Sequence, residues 1–248
     1  MPGDLVDILI LSGLVGLATG LGGLIAVIRR PGRKTLGFLM GLAAGIMVML
    51  SFIALMSEAL RISGPFMGAA GFTVGSVLMF SLDLLLPHKY FAVDEKGMLD
   101  GKLLKVGVMI AIGISLHNFP EGVAVASGFS SSPKLGLVIA VAIGLHNIPE
   151  GIATSLPMYV VGSSRRSAVG LALASGLVEP LGALLAGLFQ TTFHELVPFG
   201  LAFASGVIVF ITTDELIPVA HEHGHERSTS LGLIAGCIAT FILIGTIG

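Results

Sequence analysis

The chain has 248 residues, 15 Asp and Glu against 13 Lys and Arg, and a formal net charge of -2. Hydrophobic residues make up 54% and charged ones 11%, less than half of the about 25% that a soluble domain carries. A cytosolic globule, a disordered chain and a nucleic-acid binder are thereby excluded, the last because no basic surplus exists to meet phosphates.

A helix needs about 20 apolar residues to cross about 30 Å of hydrocarbon. Eight runs of that kind are expected, near 5–28, 36–60, 66–86, 104–128, 135–158, 168–190, 197–219 and 231–247. Together they make residues 1–248 one all-α transmembrane domain and leave no room for a soluble one. Met1-Pro2-Gly3-Asp4 lacks the positive n-region of a signal peptide, and the first run is too long for an h-region, so it reads as a span. The 35 glycines suit helices that pack closely in a bilayer, and they permit a homodimer. One cysteine, Cys237, leaves no internal disulfide and reads as a buried apolar residue.

The basic residues orient the spans. Connections after spans one, three, five and seven hold Arg29, Arg30, Arg33 and Lys34, then Lys89, Lys96, Lys102 and Lys105, then Arg165 and Arg166, then Arg227. The other connections hold only Arg61 and Lys134. The positive-inside rule places the rich connections in the cytoplasm and both termini outside, in a multi-pass protein of the plasma (inner) membrane.

Acids, unlike bases, occur within or at the ends of the spans: Glu58, Asp83, Glu121, Glu150, Glu179, Asp214 and Glu215. Each costs several kcal/mol at mid-membrane unless paired, hydrated or metal-bound. With no Lys or Arg inside the spans to pair with them, the expected partner is a passing cation or a proton. Glu58 and Asp83 lie toward span ends, where an interfacial position explains them equally well.

Spans four and five carry the same phrase 29 residues apart, Ile114-Ser115-Leu116-His117-Asn118-Phe119-Pro120-Glu121-Gly122 and Ile143-Gly144-Leu145-His146-Asn147-Ile148-Pro149-Glu150-Gly151. His117, Asn118 and Glu121 share one helix face, as do His146, Asn147 and Glu150. Pro120 and Pro149 remove a backbone donor each, freeing the carbonyls of Leu116 and Leu145, and are expected to open the two helices at this point. Consecutive spans run antiparallel, so the copies face each other, as in transporters built on inverted repeats. Imidazole with carboxylate suits zinc and other first-row divalent ions. Span six adds Glu179-Pro180, and span seven ends in Asp214-Glu215. A weaker repeat links Ala44-Gly45-Ile46-Met47-Val48 with Ala204-Ser205-Gly206-Val207-Ile208-Val209, so that spans 1–3 and 6–8 read as inverted copies flanking spans 4–5 in a 3+2+3 arrangement.

The doubled motif, with the glutamate–proline of span six, resembles the ZIP (Zrt-/Irt-like) family of divalent metal transporters, closest to its prokaryotic ZupT- and GufA-like branches. The likeness covers essentially the whole chain. It implies uptake of Zn2+, and often Fe2+, Mn2+ or Cd2+, into the cytoplasm, through a site able to hold two adjacent metals. By motif position one metal takes His117, Glu121, His146 and Glu150, with Met47 as a further ligand or a core-packing residue. The other takes Asn118, Glu121, Asn147, Glu150 and Glu179, the two central glutamates bridging. Asp214 and Glu215 fall where relatives place acids along the cytoplasmic exit. The connection after span three holds one histidine, His88, where many relatives have a histidine-rich loop.

Other readings stand beside this one. A proton-coupled exchanger or monovalent cation channel would use the acids as a relay and need the histidines little. An intramembrane metalloenzyme would need an open coordination position and a substrate cleft, and neither is visible. His221-Glu222-His223-Gly224-His225 matches H-E-x-x-H, but a protease needs that motif on one regular helix, and Gly224 and Pro218 argue against one. The tract reads instead as a metal-collecting loop through His221, His223 and His225, or as a plain solvated loop. His194 and Glu195 read as solvated.

Overall fold

The structure, a computed structural model, describes residues 2–29, 31–85, 102–160, 162–192 and 194–247. Side chains at 2–4, 85, 102–114, 116, 117, 157, 160, 190–192, 194, 215, 219 and 223 lie outside that description. His88 also falls outside it.

The described residues form helices and no strand. They are α1 (Pro2–Ile28), α2 (Arg33–Met49), a π-helical stretch (Leu50–Met56), α3 (Ser57–Leu85), α4 (Lys102–Ser131), α5 (Pro133–Val160), α6 (Arg165–Gly176) and α7 (Glu179–Thr192). A 3-10 turn (His194–Leu196) then leads into α8 (Val197–Ile211), a second π-helical stretch (Thr212–Leu216), α9 (Ile217–His223) and α10 (Glu226–Ile247). Six helices among the described residues are long and apolar enough to cross a membrane, so the chain is an all-α membrane bundle.

One of the six runs from Arg33 to Leu84, 52 residues, far beyond what a bilayer needs. Gly64 breaks it, with φ 76° and ψ 179°, a conformation open essentially to glycine alone. Pro65 follows, at a helix start where its missing N–H costs nothing. The rings of Phe52 and Phe72 stack with centroids 6.4 Å apart, whereas a straight helix would hold residues so spaced about 30 Å apart. The chain therefore doubles back at Gly64. Gly64→Ala is expected to destabilise the protein by about 1–3 kcal/mol, read as a lowered thermal midpoint in detergent. Gly13→Ala, where a Cβ would meet nothing within 4 Å, serves as the control.

The apolar run expected over 168–190 is also broken. α6 ends at Gly176, and the backbone turns through Leu177 and Val178 before α7 begins at Glu179. Pro180 then sits in the first turn of α7, where no intrahelical donor is required.

The two motif prolines behave otherwise than the sequence suggests. α4 runs unbroken through Pro120, and α5 through Pro149. The bonds missing at Pro120 in the 30-residue α4, and at Pro149 and Pro157 in the 28-residue α5, are tolerated where neighbouring helices hold the rod on several sides. The irregular backbone falls instead at Gly64, at Leu177–Val178 and in the two π-helical stretches, which widen the helix locally.

Four packed pairs organise the bundle: α1 with α5, α4 with α7, α2 with α10, and α3 with α8. Glycines allow them to touch backbone to backbone. A Cβ on Gly22 would stand 2.0 Å from Ile148 O, and one on Gly182 2.1 Å from Phe119 O. In the other pairs Gly45 meets Leu233 O and Gly206 meets Phe72 O, each at 2.1 Å. Where these faces close, Met47, Leu50, Leu55, Met79, Ile139, Ile143, Leu201, Ile208 and Ile211 form the main hydrophobic cluster. Outward stripes such as Ile10, Leu14, Leu17 and Leu21 on α1, or Leu231, Ile234 and Ile238 on α10, stay exposed, as lipid-facing surface does.

Candidate metal centre

α4 and α5 lie against each other and bring parts of both motifs into one buried place. Glu121, His146 and Glu150 each offer a ligand atom, and these atoms all lie within 4.8 Å of one another. Glu121 and His146 are each 1% exposed and Glu150 9%. His146 Nε2 and Glu121 Oε1 share a hydrogen bond of 2.8 Å. Glu121 Oε2 and His146 Nδ1 have no partner among the described residues. The His117 side chain lies outside the described residues.

The distances fit a first-row ion. Zinc binds imidazole and carboxylate at about 2.0–2.2 Å, so two ligands of a tetrahedral ion stand about 3.4 Å apart. An ion replacing the proton between His146 and Glu121 would widen their contact by only about 0.6 Å. Electrostatics favours such an exchange. Two ionised carboxylates less than about 5 Å apart repel by roughly 3–4 kcal/mol at an effective dielectric of about 20. With a neutral imidazole beside them their summed charge is matched by one divalent cation.

Next to this cluster lies an amide–carboxylate pair. Asn147 Nδ2 donates to Glu179 Oε2 at 3.1 Å and to Val15 O at 3.2 Å. Glu179 is wholly buried at the start of α7 and feels the charges of Glu121 and Glu150. Asn147 Oδ1, Glu179 Oε1 and both amide atoms of buried Asn118 have no partner among the described residues. Buried polar atoms are seldom left so, and here the unpartnered set is rich in oxygen ligands.

The last residue of each motif acquires a role not read from the sequence. A Cβ on Gly122 would stand 1.9 Å from Glu179 O, and one on Gly151 1.9 Å from Thr19 O. The bare glycines let α4 meet α7 at Glu179 and let α5 meet α1. The signal was present in the repeat itself, because both copies end Pro-Glu-Gly.

Other candidates sit elsewhere. Met47 is packed in the main hydrophobic cluster, its sulfur 3.6 Å from Thr212 Oγ1. Glu58 has a basic partner just past it, as its interfacial reading allows: Arg61 donates to it from Nε at 2.6 Å and from Nη2 at 2.7 Å. Ser131 on α4 donates to the same carboxylate. Asp83 is buried, Glu195 is exposed, and half-buried Cys237 approaches Gly45 O at 3.7 Å. Asp214 is exposed in the second π-helical stretch, and the Glu215 side chain lies outside the described residues. The H-E-x-x-H tract runs off the end of α9, because Gly224 is extended with φ -92° and ψ -158° and His225 lies before α10 begins. His221 and His225 therefore share no regular helix, which removes the protease geometry. Both line an open cavity together with Arg33, Lys34 and Arg227, and the His223 side chain is not described.

Comparison with known proteins agrees with this chemistry. A family model described as ZIP zinc transporter matches residues 93–244. The chain is 37% identical to the zinc transporter ZupT of Akkermansia muciniphila, with 96% of each chain covered. It is 35% identical to that of Streptococcus mutans over 96% of each, and 38% identical to that of Corynebacterium aurimucosum over 90% of each. A buried carboxylate–imidazole cluster between two copies of one motif, in a bundle of apolar helices, thus has whole-length relatives named for zinc transport, and the chain belongs to the ZIP family of zinc transporters.

Proposed function

We propose that this protein carries divalent metal ions, zinc foremost and also iron, manganese and cadmium, across the plasma membrane into the cytoplasm. The observation that carries the reading is the convergence of Glu121, His146 and Glu150 within 4.8 Å in the buried centre of the bundle. One ion takes these three groups and His117, with Met47 as a further ligand if its sulfur turns from Thr212. A second, adjacent ion takes Asn118, Asn147 and Glu179, and shares Glu121 and Glu150. The unpartnered oxygens of Asn118, Asn147 and Glu179 support this second position. The ion then leaves past Asp214, Glu215 and the tract of His221, His223 and His225.

The proposed topology is eight spans with both termini outside, arranged 3+2+3. The packing supports it. Exchanging α1 with α6–α7, α2 with α8, α3 with α10 and α4 with α5 turns the pair α1–α5 into α4–α7, and α2–α10 into α3–α8. The same exchange relates the Gly45 contact with α10 to the Gly206 contact with α3. Rocking of one helix group against another then gives alternating access.

Uptake of radiolabelled zinc into proteoliposomes of the purified chain tests the reading, with protein-free vesicles as baseline and the other three metals as competitors. Uptake no faster than baseline would end it. Carboxylates and imidazoles hold metal only when deprotonated, so protons compete with the ion. The initial rate is expected to fall as the medium is taken from about pH 7.5 to about pH 5.5. Glu179→Gln keeps the shape but removes a charge. It is expected to lower the bound zinc, measured by elemental analysis of the purified protein, from two ions per chain to one.

A further inference from the structure

At one end of the bundle the first turns of α2 and α10 meet around an open cavity of about 740 Å³. Its walls are Gly32, Arg33, Lys34, His221, Gly224, His225, Glu226 and Arg227. The two helices are locked together there, for a Cβ on Gly37 would stand 2.7 Å from His225 N. Three permanent cations face one carboxylate, Glu226. Among the described residues none of Arg33, Lys34 and Arg227 has a carboxylate within ion-pair distance. Arg33 is held toward the cavity by one donor, Nη2 to Gly224 O at 3.3 Å, which leaves its other N–H groups free. The N-cap of α2, Gly32, makes no side-chain cap hydrogen bond to the first amides of that helix.

Unpaired cations beside an uncapped helix start form an anion site, because guanidinium, ammonium and backbone N–H groups all donate toward the same point. A divalent cation would be repelled from it. The surface beneath the cations says which anion. Phe38 lies one turn below Lys34, and Leu231 and Ile234 lie one and two turns below Arg227, on the same helix faces. All three are exposed, at 38%, 62% and 54%. A charged rim above a greasy face on two neighbouring helices matches a phosphate headgroup above acyl chains, and basic pockets between spans hold such headgroups.

We propose that this cavity binds the phosphate headgroup of an anionic phospholipid, with the acyl chains against Phe38, Leu231 and Ile234. An anion seated there also cancels the charge that would otherwise repel a metal ion leaving past His221. The site does not depend on the metal reading, since none of its residues belongs to the central cluster.

The test uses the full chain in vesicles of phosphatidylcholine with graded phosphatidylglycerol, reading retained lipid by native mass spectrometry. Each Lys or Arg near an anionic surface contributes about fivefold in affinity. The Arg33→Gln, Lys34→Gln, Arg227→Gln triple variant is therefore expected to bind phosphatidylglycerol about 100-fold more weakly. Arg165→Gln with Arg166→Gln, on another connection, should leave the affinity unchanged. If the triple variant folds poorly, Lys34→Gln and Arg227→Gln singly should each cost about fivefold. Retention unchanged in these variants, or an equal loss in the Arg165 and Arg166 control, overturns the site. A second arm adds inorganic phosphate alone and follows thermal stability. Stabilisation of the wild type but not the triple variant by millimolar phosphate, with no retained lipid, keeps the phosphate chemistry but overturns the lipid as its source.

Discussion

Glu121→Ala and Glu150→Ala are each expected to lower zinc uptake by more than about 100-fold. Loss of a partner that merely orients a metal ligand already costs about 10–100-fold, and these carboxylates are proposed as ligands themselves, shared by both ions. Either substitution removes a charge from a buried set whose other members stay in place, so the remaining groups no longer neutralise a divalent ion. Glu121→Ala also leaves His146 without its 2.8 Å hydrogen-bond partner. Initial rates in proteoliposomes check this, with elution volume and thermal midpoint showing that the variants fold. Wild-type rates in both variants would remove the carboxylates from the transport path and with them the central proposal. Glu121→Asp separates charge from reach: it keeps the former and retracts the ligand by one methylene, so a rate between wild type and alanine is expected.

Gly122→Ala is expected to have the next largest effect, on folding as well as on flux. An added methyl at a well-packed contact costs about 1–3 kcal/mol. Here it would meet a backbone carbonyl at 1.9 Å, with Ala183 N at 2.7 Å behind it, and neither can rotate away as a side chain would. α7 must move, and Glu179 at its start moves with it. The expected outcome is a lower thermal midpoint together with loss of one bound zinc, the ion assigned to Glu179. Gly151→Ala meets Thr19 O and Gly23 N on α1 in the same manner. It is expected to destabilise equally while leaving Glu179 against α4. Normal stability and stoichiometry in Gly122→Ala would show that the α4–α7 contact is looser than its geometry.

Much of the candidate site is legible in the sequence. His146, Asn147 and Glu150 recur at the spacing of His117, Asn118 and Glu121, and residues three and four apart on a helix share a face whatever surrounds them. The doubled phrase marked those residues without help from tertiary structure. The prolines within it misled, because a missing donor was expected to open α4 and α5, yet both helices run on. A proline removes one bond locally, but whether the rod yields depends on the helices packed around it. Of the two readings open for Glu58, the geometry favours the interfacial one. Arg61, one turn away, pairs with it, and Ser131 on a distant helix completes the set.

By itself the sequence determined that the chain lives in a bilayer, which stretches form its helices, and which side chains are candidates to bind a metal. Hydropathy, charge placement and helical spacing are properties of short segments and need no partner. The facing repeats and the family likeness already grouped Glu121 with His146 and Glu150, and Asn147 with Glu179; only the tertiary structure supplied their distances and decided that the motif glycines serve interhelical contact and that Arg33, Lys34 and Arg227 share one cavity. Those pairings join residues from 25 to nearly 200 positions apart. Close packing of several helices sets them together, and no local pattern carries that distance.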